Sequence, residues 1–200
     1  MDIKRQTSVK VFVIIVAAVL FLAACGGNHN YAPKPRGYYR IAFPKKEYRD
    51  YNAGCPFTFS YPKYADMEPD KNANAKPCWL NMQFKQFNGT LHLTYETITS
   101  KKEFDELTED AYKFVFKHTV KSTGIDQGTI SYPEKKVYGI YYTIDGNAAS
   151  SVQFYLTDSV HHYLRGALYF NSEPRLDSIQ PVLTFVKKDV DVMIRSLRWK

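Results

Sequence analysis

The chain opens on a run of fourteen apolar residues, Val11–Ala24, preceded by Lys4, Arg5 and Lys10. A membrane-spanning helix needs about 20 apolar residues. The shorter run, with basic residues before it and Leu22-Ala23-Ala24-Cys25 after it, reads as an export signal ending in a lipoprotein cleavage site. Residues 1–24 are then a removed signal peptide, and Cys25 carries the lipid. The stretch 26–36 holds Gly, Asn and Pro and almost nothing apolar, so 25–36 is a tether. Beyond it the pattern changes to short runs of aromatic and β-branched residues. Tyr38–Phe43, Phe57–Tyr61, Trp79–Phe84 and Thr90–Thr97 predict strands, with Asn88-Gly89 as a hairpin turn and 62–77 as a loop.

The period then lengthens. Ser100 with Glu103 makes a capping box, and Phe104, Leu107, Ala111, Val115 and His118 recur at helical spacing, with Gly124 and Gly128 closing the helix. Val137–Ile144, Ala149–Thr157 and His162–Phe170 return to strand patterning around Asp145-Gly146-Asn147 and predict a meander. Val182, Val186, Val190, Met193 and Leu197 mark a last helix, with Asp177-Ser178 as its cap and Pro181 in its first turn. Strands, helix, strands, helix predict one α+β domain over 37–200: a mostly antiparallel sheet covered by two helices, loosely similar to the Mog1/PsbP-type sandwich.

Composition narrows the class. Without residues 1–24 the chain has 24 basic and 19 acidic residues, interspersed, for a net charge of about +5. An exported chain with no basic block excludes nucleic acid as a partner. Anchoring places the membrane among its partners instead. Sixteen Tyr and thirteen Phe supply a large aromatic core and some surface aromatics for partner contact. Cys55 and Cys78 are an even remainder in an oxidising compartment, with no His or carboxylate at metal-ligand spacing beside them. They read as a disulfide closing a loop of about 24 residues, worth on the order of 3 kcal/mol in the chain-entropy model.

Chemistry concentrates in Thr157-Asp158-Ser159-Val160-His161-His162. A hydrolase triad needs groups from separated segments converging, and no Gly-x-Ser-x-Gly elbow precedes Ser159. The segment reads as a polar turn. His161 and His162 with His92 or His118 could ligate a metal, but adjacent strand histidines point apart and no His-Glu-x-x-His occurs. No catalytic residue, metal or cofactor is assigned. Arg165, inside an apolar strand, reads as paired with Asp158 or Glu173, and Gly166 as a close approach. Contact hot spots are usually Trp, Tyr and Arg, so Tyr163, Arg165 and Arg175 are the candidates for a partner surface around 158–178.

The sequence resembles the gliding motility lipoprotein GldD family of Bacteroidetes. Tyr39–Pro44, Cys55-Pro56-Phe57, Tyr61-Pro62, Cys78–Asn81, Val137-Tyr138-Gly139, Gly146–Ser150, Gln153-Phe154, Thr157-Asp158-Ser159 and Arg165–Phe170 carry the resemblance. It continues through Pro174, Asp177-Ser178 and Pro181. The resemblance implies a non-enzymatic envelope lipoprotein needed for gliding and, by association, for type IX secretion, with other gliding and secretion proteins as partners. Gly26 in place of an acid after Cys25 points to the periplasmic face of the outer membrane. A periplasmic small-ligand or glycan-binding module is the alternative.

Overall fold

The computed structural model describes residues 40–172 and 175–200, with Val16 by itself. The signal peptide, Cys25, the tether and Glu173 lie outside the described residues. Arg40–Lys200 form one compact unit. Among the described residues no helix is long and apolar enough to cross a membrane.

Ten strands and two helices are described: β1 (Tyr48–Tyr51), β2 (Phe57–Pro62), β3 (Asp66–Pro69), β4 (Leu80–Phe84), β5 (Gly89–Thr97), α1 (Lys101–Phe116), β6 (Ser122–Tyr132), β7 (Val137–Gly146), β8 (Ser150–Thr157), β9 (His162–Phe170), α2 (Leu176–Ser196) and β10 (Arg198–Trp199). Seven strands form one sheet in the order β3-β4-β5-β9-β8-β7-β6, every neighbour antiparallel. β1, β2 and β10 form a second, small sheet. The domain is α+β, as its pattern predicts.

Alternation decides which face meets which layer. Leu91, Leu93 and Tyr95 of β5 join Val152, Phe154 and Leu156 of β8 and Leu164 and Leu168 of β9 in one core. Phe57 and Phe59 of the small sheet and Val186, Val190 and Met193 of α2 close that core from above. The opposite face is covered in part by α1, where Val115 packs with Tyr142, Ile144 and Ala148. The two helices therefore lie on opposite faces of the large sheet.

Several expectations need correction. Residues 40–43 are not a strand; Phe43 instead stacks on Phe185 of α2 with ring centroids 4.5 Å apart. The loop 62–77 contains β3, which pairs with β4 through Met67 and Met82. Gly124 and Gly128 do not end α1. They lie in β6, an eleven-residue edge strand that the helical reading obscured. Asp177 and Ser178 are not the cap of α2: Arg175 takes the N-cap position, its side chain making no capping hydrogen bond to the first turn, and Pro181 sits beyond the first turn. Ser100 does cap α1, accepting from the Glu103 amide at 3.2 Å, while Glu103 accepts from Thr99 N at 2.9 Å.

The β4-β5 and β6-β7 hairpins turn alike. Lys85–Phe87 and Pro133–Lys135 are single 3-10 turns, each followed by a left-handed residue, Asn88 at φ 50° and Lys136 at φ 52°. Asn88 suits this conformation, since its short polar side chain tolerates it. The Asn88-Gly89 hairpin signal therefore marks the right place with a longer turn than two residues.

Candidate functional site

Cys55 and Cys78 are joined by a disulfide, their Cα atoms 5.7 Å apart. That separation lies within the range such bonds require. The bridge ties the start of β2 to the start of β4, and Tyr51 Oη lies 3.3 Å from Cys55 Sγ.

The polar segment before β9 is a turn built around one carboxylate. Asp158 Oδ1 accepts from the amides of Val160, His161 and His162 at 3.0, 2.8 and 2.8 Å. Burial pushes the Asp158 carboxyl up, but these amides outweigh it and hold it below the usual carboxylate range. Ser159 adopts φ 67°, its amide donating to Thr157 Oγ1 at 2.8 Å. His162 is bonded to Tyr95 Oη through Nδ1 at 2.8 Å and stacks on Trp199 at 5.0 Å. His92 pairs with Asn81 Oδ1 at 2.6 Å, away from this turn. Among the described residues no three His, Cys, Asp or Glu side chains gather at metal-binding distance.

The three contact candidates separate. Tyr163 is 2% exposed, its hydroxyl donating to the Leu107 carbonyl of α1 at 3.0 Å. It is a buried link between β9 and α1, so it presents no contact surface. Alternation along β9 puts its side chain on the face that α1 covers. Arg175 is exposed at the start of α2. Arg165 lies on the same face of the sheet as Tyr163 and is mostly buried. It donates to Gln153 Oε1 and sits over the Phe114 ring at 4.8 Å. Burial holds its guanidinium below the ordinary value, although an arginine stays charged. The expected partner Asp158 is committed to its own turn. Beneath, Gln153 is 1% exposed and its Nε2 has no partner among the described residues.

Arg165, Trp79, Glu96, Asp110, Phe114 and Tyr163 line a cleft of about 250 Å³ between α1 and the sheet. That is below the roughly 300–1,000 Å³ of ordinary ligand pockets, so it fits one small group. A larger cavity, about 500 Å³, lies between β6 and α2, lined by Ile130, Tyr132, Tyr141, Lys187, Lys188, Asp191 and Ile194 among others.

The sequence reading missed one cluster altogether. Asp189 of α2 is 1% exposed. It accepts from Tyr48 Oη at 2.9 Å, from Tyr64 Oη and from Lys46 Nζ. Lys46 also donates to Phe185 O at 2.8 Å and lies 3.3 Å from the centre of the Phe185 ring. Burial lowers the Lys46 ammonium despite the Asp189 carboxylate, and burial followed by Asp189 pushes Tyr48 up to about 12. The available signal was an acid on the apolar stripe, three residues after Val186. The cluster fastens the entering chain and β1 to α2.

The family described as gliding motility lipoprotein GldD matches residues 28–199, nearly the whole chain. The chain belongs to that family. Its role is therefore in gliding motility, as a lipoprotein of the cell envelope. Among curated proteins, none matches the chain. Among solved structures, the chain is similar to the solution structure of cyanobacterial PsbP (CyanoP) from Synechocystis sp. PCC 6803. The TM-score is 0.46 at 14% identity, over 78% of this chain and 95% of that one.

Proposed function

We propose that this lipoprotein is held by acyl chains on Cys25 at the periplasmic face of the outer membrane, with residues 1–24 removed. There it supports the gliding and type IX secretion machinery through protein contacts, without catalysis. The family match over residues 28–199 carries this reading. The engagement of Asp158 Oδ1 by three backbone amides supports the non-catalytic part, since it gives this acid a structural role in the turn. Anchoring confines the domain to a thin layer, which raises its effective concentration for envelope partners. The test is deletion in a gliding host, complemented by the full chain or by Cys25→Ser. The full chain should restore colony spreading and secretion of a type IX cargo, and the variant should not. Normal spreading and secretion in the deletion strain would sink the reading.

A periplasmic small-ligand role is the second reading, favoured by Arg165 in its aromatic-lined cleft. Thermal shift against single monosaccharides and amino acids tests it. A shift abolished by Arg165→Lys favours ligand binding, and the absence of any shift counts against it.

A further inference from the structure

The two edges of the large sheet are built differently. β3 is four residues long and ends on Pro69, which has no N–H to offer. It carries Asp66 and Glu68, paired with Lys85 at 3.0 Å and Lys71 at 3.1 Å. Shortness, charge and proline are the devices that stop an edge from recruiting another strand. Of these, β6 has only a single charge. It is eleven residues long, seven of them exposed, with Asp126 as its one charge and no Lys, Arg or Pro. Among the described residues it pairs with β7 alone. Its outer side therefore presents a row of backbone donors and acceptors with no strand against them.

We propose that β6 is a docking strand: its free edge takes an extended, acid-bearing segment of a partner envelope protein as an eighth strand, with one carboxylate side chain of that segment entering the cavity between β6 and α2. This deepens the protein-contact reading and rests on it.

The occupant follows from chemistry. A row of strand amides and carbonyls is completed by another extended backbone, and alternate side chains of that backbone then reach pockets beside the edge. The cavity adjoins Thr129–Tyr132, the C-terminal part of β6. Its charged lining is Lys187, Lys188 and Asp191, and Asp191 is already bound by Arg195 at 2.9 Å. Lys187 is half-buried and loses hydration, with Asp145 the acid that faces it. The lining keeps a net positive balance, which suits an incoming carboxylate.

Other occupants fit less well. This chain's own segment 26–39 has no acid and is interrupted by Pro33 and Pro35. A second copy of β6 offers only Asp126 and brings a second pair of lysines to the same seam.

The experiment uses the full-length lipoprotein in detergent and a synthetic eight-residue peptide of alternating Val and Thr with one central Glu. Hydrogen–deuterium exchange read by mass spectrometry should show protection of β6 on adding the peptide. A peptide with alternate backbone amides N-methylated should give none. Replacing its Glu by Gln, or making Lys188→Glu in the protein, should weaken protection by about tenfold. Gln127→Lys, at an exposed edge position, should abolish it. The proposal is overturned by protection that ignores N-methylation, or by no protection of β6 at millimolar peptide. It is equally overturned if β6 is protected without peptide while light scattering reports a dimer, which makes a second copy the occupant. None of these outcomes alters colony spreading in the deletion strain, so failure of the docking strand is separable from failure of the protein-contact reading.

Discussion

Single residues in this domain are constrained by what lies directly across the sheet. A Cβ on Gly166 would fall within the ring of Phe154 on the neighbouring strand. Phe154 is 1% exposed and has no room to withdraw. Gly166→Ala should cost about 1–3 kcal/mol by overpacking, read from urea unfolding monitored by tryptophan fluorescence. An unchanged midpoint would show that the ring relocates freely. Asp158 makes a prediction about pH. Its folded-state pKa is depressed, so its contribution is present above the unfolded value near 3.9 and is lost as pH falls through the lower folded value. Asp158→Asn should be less stable than the parent by about 1 kcal/mol at neutral pH, after allowing for solvent screening of a group near the surface. The two proteins should converge once the pH has fallen below the folded-state value. A gap independent of pH would mean that the carboxylate charge contributes nothing to the turn.

At the scale of elements, two fastenings hold the small sheet to the rest. One is the buried Asp189 with Lys46, Tyr48 and Tyr64. Removing one partner of such a group leaves the others desolvated and unpaired. Asp189→Ala should therefore lose about 3–5 kcal/mol, and the double variant Asp189→Ala with Lys46→Met should recover part of the loss. A double variant no better than the single would show that the tyrosines, and not the ion pair, carry the coupling. The other fastening is the disulfide. Cys55 and Cys78 should resist alkylation until reduced, by mass spectrometry of envelope-derived protein, and reduction should cost on the order of 3 kcal/mol. Two freely alkylated thiols would remove it. Elements also show where pattern and structure part. β6 was unreadable because an edge strand exposed on both faces has little alternation to read, whereas β5, with Leu91, Leu93 and Tyr95 in the core, was plain. β1 is held by pairing to β2 and by Tyr48 reaching Asp189, interactions that its own four residues do not encode.

For the whole molecule, the anchor is the first question. Cys25 supplies the one thiol of the apolar N-terminal segment, and Cys55 and Cys78 are engaged with each other. Cys25→Ser should abolish incorporation of an acyl probe and release the protein from membranes on fractionation. Undiminished labelling would refute the lipid anchor. Two acyl chains suffice for stable attachment, at about 0.8 kcal/mol per buried CH2. The domain beyond would then meet its partners within the reach of its tether.

Taken alone, the sequence determined the α+β class, the α1 cap, the meander β7-β8-β9, the Asp158 turn and the family, because each rests on neighbours close along the chain or on a motif kept in one stretch. Tertiary structure decided the rest. It put Tyr163 beneath α1, and it sent Arg165 to Gln153 and Phe114, not to Asp158. It also buried Asp189 among side chains more than a hundred residues away. It made β3 and β6 the two edges of the large sheet. The physical reason is common to all of these. A side chain's burial and partners depend on which face of the sheet it occupies and which layer covers that face, and those are set by contacts between segments that no local pattern specifies.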